Sequence, residues 1–303
     1  MNIESIKMFS SISYRGKTKK DSIPKTLSSE KPITSSLDSI SIIGQAQVLL
    51  QTPKQKEKLL LEKIKQDENI AHLFLQKDKN QVTYMFCNND DLNETLAYVN
   101  FFYDNNDEID EIYVFDIRTE NLTRYDNEGN YQTQYTPQDL KGVSGYKYNS
   151  YYFHSRLRDK RQYENNELLD NLNNIFADKS KLHKAKKDMI MYRTHHLTPK
   201  EMGKIGDIYQ DSSFLSTSTN EIVSKSFYYD KNKAFLIIKV PKDSSFLDVD
   251  KIFNIKNRRS REEEFLFDKG TKFLIEDINN TNEVTLSVIK LLTDEEKVNS
   301  NEN

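Results

Sequence analysis

Phe214-Leu215-Ser216-Thr217-Ser218 joins an apolar pair to three hydroxyl residues; a polar Asn220-Glu221 turn and a helix-like run ending in Phe227 follow. Alone, such a run reads as ordinary strand filler, with Thr217 and Ser218 tying the strand to its neighbour. Its surroundings change its weight. Arg193 closes the apolar run Met189-Ile190-Met191-Tyr192, a pattern that predicts a buried strand delivering a permanently charged guanidinium to its end. Downstream, Glu262-Glu263-Glu264 turns abruptly into Phe265-Leu266-Phe267. If a strand starts at Glu262, the carboxylates of Glu262 and Glu264 project from one face and Glu263 from the other.

A cation, a hydroxyl cluster and a same-face carboxylate pair, each at a strand end, are parts that can grip a dinucleotide and stabilise a developing positive charge. In their order along the chain they resemble the mono-ADP-ribosyltransferases of the Arg-Ser-Glu type, which include bacterial exotoxins, secreted effectors and phage transferases. The resemblance spans about Thr136 to Leu292. It implies an α+β, ADP-ribosyltransferase-like fold of two packed β-sheets flanked by helices, with NAD as a substrate in the cleft between them. It further implies Arg193, with Thr194 beside it, as the phosphate and ribose anchor. Ser216 would bond Glu264 and the nicotinamide-side ribose, and Glu264 would supply the charge facing an oxocarbenium-like ribose. Glu262 would orient or deprotonate the acceptor. Phe227 falls where the family places an aromatic that stacks on nicotinamide, with Tyr228 the neighbouring alternative and a helix-core role the plain one.

The run Val143-Ser144-Gly145-Tyr146-Lys147-Tyr148-Asn149, continuing to Leu157-Arg158, is unusually aromatic. It resembles the family's nucleotide-covering helix, which implies Tyr148 and Asn149 as contacts to NAD. Asn254 to Arg261 corresponds to the acceptor-recognising loop. It carries Lys256, Arg258, Arg259 and Arg261, a departure from the aromatic loops of many arginine-modifying members that suits an acidic protein surface or a phosphate-bearing substrate. In the family a carboxylate at the position of Glu262 usually accompanies arginine acceptors and glutamine there accompanies asparagine, with threonine acceptors an exception.

The 303 residues carry a formal charge of -3 and 30% charged residues, so nothing in the global charge argues for nucleic acid. Cys87 is the single cysteine, which excludes an intramolecular disulfide and a cysteine-based zinc cluster. His195 and His196 follow the Arg193 strand without a second ligand cluster, and no metal is expected. No apolar run is long enough to span a bilayer, and the N-terminus lacks the apolar core of a secretory signal.

Residues 1–39, rich in Ser, Thr and Lys, are expected to be a disordered leader that also resembles the secretion signals of needle-injected effectors. Residues 40–130 are expected to form a small α/β unit. It would begin with an apolar segment at Ile40 to Leu50 and a helix from Thr52-Pro53 to about Lys65. A second helix would follow from Asp67 through Ile70, Leu73 and Phe74, then a strand at Gln81 to Cys87. A helix at Asp90 to Tyr103 bearing Leu92, Leu96, Val99 and Phe102, and a strand at Glu111 to Arg118, complete it. The acidic run Asp104 to Asp110 lacks the spacing of a calcium loop and reads as solvated. Residues 131–292 form the expected transferase domain. A helix opens at Thr136-Pro137, another runs from Leu168 to Phe176, and the lysine-rich Lys179 to Lys187 reads as a solvated connection. Strands are expected at Ala234 to Val240, Thr271 to Glu276 and Glu283 to Leu292, and 293–303 is a polar tail.

The function this implies is transfer of ADP-ribose from NAD to a side chain, arginine by the Glu262 criterion, of a host or other target protein. It would be performed by a toxin or effector that leaves its cell by a non-classical route and acts in the target-cell cytoplasm. An NAD glycohydrolase and a catalytically silent binding module are the alternatives.

Overall fold

The computed structural model describes residues 52–289, apart from Gln66, Lys79, residues 159–165, 228–229, 231 and 258–261. These described residues fall in one compact unit that begins at Gln51. The expected leader, the apolar segment Ile40 to Leu50 and the polar tail lie outside them.

Helix α1, Pro53–Ile64, starts where the sequence places it. Thr52 and Gln55 form a reciprocal capping box and proline occupies the first turn. Six strands follow: β1 Ile70–Asp78, β2 Gln81–Asn88, β3 Thr95–Tyr103, β4 Ile109–Asp116, β5 Leu122–Asp126 and β6 Tyr131–Tyr135. They pair in sequence order as an antiparallel meander. Two segments read as helices are therefore strands, β1 in place of the helix from Asp67 and β3 in place of the helix over Asp90 to Tyr103. The reason lies in burial. β3 is covered on both faces, Val99 and Phe101 packing with Leu61 of α1 while Phe102 joins a second core on the other side. Apolar residues at both parities satisfy a helical spacing as readily as an alternating one. Because β5 pairs with β6, the meander crosses position 131 and ends at Tyr135.

Thr136 and Asp139 then cap α2, Pro137–Arg158, which packs on α3, Glu167–Ala177. A Cβ on Gly142 would stand 2.9 Å from the Leu172 backbone nitrogen, so the close approach of these helices requires glycine there. A nine-strand sheet completes the fold. It comprises β7 His183–Lys184, β8 Met189–Thr194, β9 Ile208–Gln210, β10 Leu215–Ser218, β11 Phe235–Val240, β12 Ser245–Asp248, β13 Glu264–Phe267, β14 Lys272–Ile278 and β15 Glu283–Val288. Their order is β7-β12-β13-β10-β8-β11-β15-β14-β9. The helices α4, Pro199–Met202, α5, Glu221–Ser226, and α6, Val249–Asn257, lie in the connections.

β10 and β8 share one register pair, Ser218↔Tyr192, and there the sheet divides into two packed halves. Leu215, Phe246 and Phe267 of one half close on Met191, Leu236, Phe273 and Leu286 of the other. The opposite face of the first half, with Phe214, Leu247 and Leu266, packs under α2, α3 and α6 and against the meander. Full burial of a phenylalanine such as Phe214 or Phe267 contributes on the order of 2 kcal/mol. The expected α+β arrangement of two packed sheets with flanking helices is the one observed.

The lysine-rich connection is not simply solvated. Lys181 pairs with Asp139 at 2.7 Å, and Lys186 pairs with Asp110 of β4, so it straps the meander to the sheets behind it. Among the described residues no helix is long and apolar enough to cross a membrane.

Candidate active site

Arg193 shares the parity of the fully buried Met191 on β8, so its side chain enters the gap between the sheet halves at the strand end. Its Nη1 donates to the Ser216 carbonyl, while Nε, buried, has no partner among the described residues. Burial pulls the guanidinium below its ordinary value, yet a guanidinium stays charged under any working condition. A part-buried forked cation in the cleft wall suits an anionic oxygen.

Ser216 lies on the facing strand β10 and donates from Oγ to Glu264 Oε1 at 2.6 Å. Its neighbours behave as strand ties: Thr217 Oγ1 donates to the Phe265 carbonyl at 3.0 Å and Ser218 Oγ to the Glu262 carbonyl at 2.5 Å. All three hydroxyls, with Arg193, Glu262 and Glu264, line one cleft of about 350 Å³.

The carboxylate pair is built differently from the sequence expectation. β13 begins at Glu264 rather than Glu262, and Glu263 has φ 49°, in the left-handed region. Strand alternation therefore does not align Glu262 with Glu264. Their carboxylates converge instead on one cation from another element: Lys147 Nζ of α2 donates to Glu262 Oε2 at 2.5 Å, Glu264 Oε2 at 2.7 Å and Asp250 Oδ1 at 2.9 Å. Burial alone would lower the Lys147 ammonium, but Glu264 and Asp250 hold it well above the ordinary lysine value. Burial pushes Asp250 up, against the pull of Lys147.

Tyr146 precedes Lys147 and is fully buried; its hydroxyl donates to Glu264 Oε1 at 3.4 Å and lies 3.2 Å from His154 Nε2. The other ring nitrogen of His154 is 2.8 Å from Ser213 Oγ. Burial, with Arg193 and Arg158 nearby, pushes His154 down to about 2, so the ring is neutral. Tyr146, Lys147, His154 and Asp250 were not legible as site residues. The one signal was the aromatic run itself, whose inward face depends on a kink at Asn149, where φ is -132° and ψ 28°.

That kink also decides Tyr148 and Asn149. Neither lines the cleft, whereas Tyr146, Lys147, Ser150 and Tyr151 do. Tyr148 instead meets Phe253 of α6 edge-on at 5.5 Å. Phe227 caps the C-terminal end of α5 at the cleft mouth, half exposed. Thr194 lines the cleft and donates to the Ser224 carbonyl at 2.7 Å, which with Ser224 Oγ on the Tyr192 carbonyl fastens α5 to β8. Tyr228 and Arg258, Arg259 and Arg261 lie outside the described residues.

Two side-chain clusters have the compactness of a metal site: His195, His196 and Asp211, and Asp250, Glu262 and Glu264. Protein groups engage both. Arg158 holds Asp211 through contacts of 3.1 and 2.7 Å, and His195 accepts from the Leu197 amide and faces the Tyr209 hydroxyl. Lys147 sits on the second cluster.

The model of the ADP-ribosyltransferase exoenzyme family matches residues 121–299, more than half of the chain. The chain belongs to this family. It is an NAD-dependent mono-ADP-ribosyltransferase, and NAD is its substrate. Among solved structures the transferase is similar to Plx2a, an ADP-ribosyltransferase toxin from Paenibacillus larvae, at 18% identity and TM-score 0.41, over 51% of this chain and 87% of that one. Exoenzyme S from Pseudomonas aeruginosa, solved with human 14-3-3 protein beta and Carba-NAD, is 20% identical with TM-score 0.39, over 50% and 73%. An ADP-ribosyltransferase from Clostridium botulinum is 15% identical with TM-score 0.38, over 51% and 88%. No curated protein matches the chain in sequence.

Proposed function

We propose that the cleft between the sheet halves binds NAD and that the transferase passes ADP-ribose to an arginine side chain of a target protein. Arg193 anchors phosphate and ribose oxygens, with Thr194 in the wall beside it and Phe227 stacking on nicotinamide at the mouth. The C1′–N glycosidic bond breaks with its electron pair leaving on nicotinamide. Glu264, oriented by Ser216, faces the resulting oxocarbenium with a fixed charge. The acceptor nitrogen attacks C1′ and its proton passes to Glu262. The bond from Ser216 Oγ to Glu264, beside a part-buried guanidinium whose Nε has no partner among the described residues, carries this reading. A protein with this chemistry and a Ser-rich N-terminal leader suits an effector secreted by a non-classical route to act in the target-cell cytoplasm.

Glu264→Gln tests the reading. It removes the charge while keeping the shape, so release of nicotinamide from NAD should fall at least ~100-fold, the scale of losing one preorganised electrostatic contact. Activity within a few-fold of the parent protein would refute the assignment. A labelled-NAD reaction with cell lysate, read by mass spectrometry, identifies the acceptor. Label confined to residues other than arginine would overturn that part.

A further inference from the structure

Lys147 has no counterpart in the Arg-Ser-Glu pattern, yet it touches both glutamates of the site. Its side chain is 9% exposed and its ammonium meets Asp250, Glu262 and Glu264 at 2.9, 2.5 and 2.7 Å. We infer that Lys147 is a positioning residue of the transferase: its ammonium holds Glu262 beside Glu264 and balances the negative charge gathered there. The inference rests on the proposed roles of those two glutamates.

Two observations carry it. Glu263 in the left-handed region breaks the alternation that would have set Glu262 and Glu264 side by side, and the Ser218 hydroxyl fixes only the Glu262 carbonyl. The Glu262 carboxylate, half exposed, has Lys147 as its ion-pair partner. Second, Asp250, Glu262 and Glu264 place carboxylate oxygens within 4.8 Å of one another. Three carboxylates so close repel one another unless a cation stands among them. Asp250 makes the problem acute, because its Oδ2 is buried without a partner among the described residues. Without the ammonium, three like charges would crowd one another and the Glu262 carboxylate would lose its ion-pair partner.

Among the described residues the groups around Lys147 are few. Glu262 and Glu264 face it from the start of β13 and Asp250 from α6. Tyr146 and His154 on α2 and Arg193 on β8 lie behind Glu264, bonded to it directly or through Tyr146 and Ser216. His154 is neutral and Arg193 keeps a constant charge. An ordinary structural ion pair would affect stability and leave the titration of the reaction alone.

The pH profile of NAD hydrolysis separates these roles. Lys147→Met should move the acid limb to higher pH by about one unit or more, the scale of losing an opposite charge at contact distance, and Lys147→Arg should restore it. Asp250→Asn removes a like charge and should move the limb to lower pH, and it decides the matter if Lys147→Met does not fold. Limbs of Lys147→Met and Asp250→Asn that coincide with the parent protein's would overturn the inference. Should Glu264→Gln retain activity, the reading of the site fails. An inactive Glu264→Gln with unmoved limbs removes only the role of Lys147.

Discussion

At the scale of single residues, the transferase separates charge from shape. Arg193 is a part-buried fork whose Nε has no partner among the described residues, so Arg193→Lys keeps the charge and loses the geometry. NAD affinity measured by calorimetry should fall about tenfold, the worth of one charge-assisted hydrogen bond. Unchanged affinity would return Arg193 to the structural role of holding the Ser216 carbonyl. Glu262→Gln tests the other side of the cleft. If Glu262 serves the acceptor, labelling of target protein should be lost while most of the slow hydrolysis of NAD survives, because water needs less orientation than a side chain. Equal loss of both would mean that Glu262 acts through Glu264.

Between elements, α6 is the bridge. Lys251 pairs with Asp110 at 3.0 Å and Glu111 at 2.8 Å on β4. The adjacent Asp250 turns the other way to Lys147, so the helix that contacts the meander also carries a member of the site. Burial would raise Glu111, but Lys251, helped by His183 and Arg124, outweighs it and holds the carboxyl down to about 2 against an ordinary 4.5. A folded-state value below the unfolded one stabilises the fold fully above the unfolded value and is lost as pH falls through the folded one. The shift corresponds to on the order of 3 kcal/mol. Glu111→Gln should therefore melt several degrees lower than the parent protein at pH 7, and the difference should close as pH falls from about 4.5 to 2. A difference independent of pH would mean that shape rather than charge makes the contact matter.

Over the whole molecule, one core crosses from the meander into the transferase fold. Phe102, Tyr113, Leu122 and Tyr135 of the meander pack in the same cluster as Tyr146, Phe153 and Leu172 of the helices and Leu247 and Leu266 of the sheet. Such continuity predicts a single calorimetric transition. Leu122→Ala, at a side chain 1% exposed, should destabilise by ~2–5 kcal/mol and shift that transition without splitting it. Two separated transitions would show that the meander unfolds on its own.

The sequence was most informative where a part of the candidate site sits in a short segment. Arg193 at the end of an apolar run, Ser216 in its hydroxyl stretch and Glu264 before Phe265-Leu266-Phe267 are each recognisable within a few residues, because a strand end and its side chain are local matters. The caps of α1 and α2 were legible for the same reason. β3 was not, since burial on both faces erases the period by which helix and strand are told apart. Nor was the ammonium that organises the carboxylates. Lys147 lies 103 residues from Asp250 and 117 from Glu264, and its inward direction depends on a kink in α2 and on how that helix crosses β13. Such long-range juxtapositions arise only when separate elements pack, so charge and order could be read along the chain, while the arrangement of charges awaited the fold.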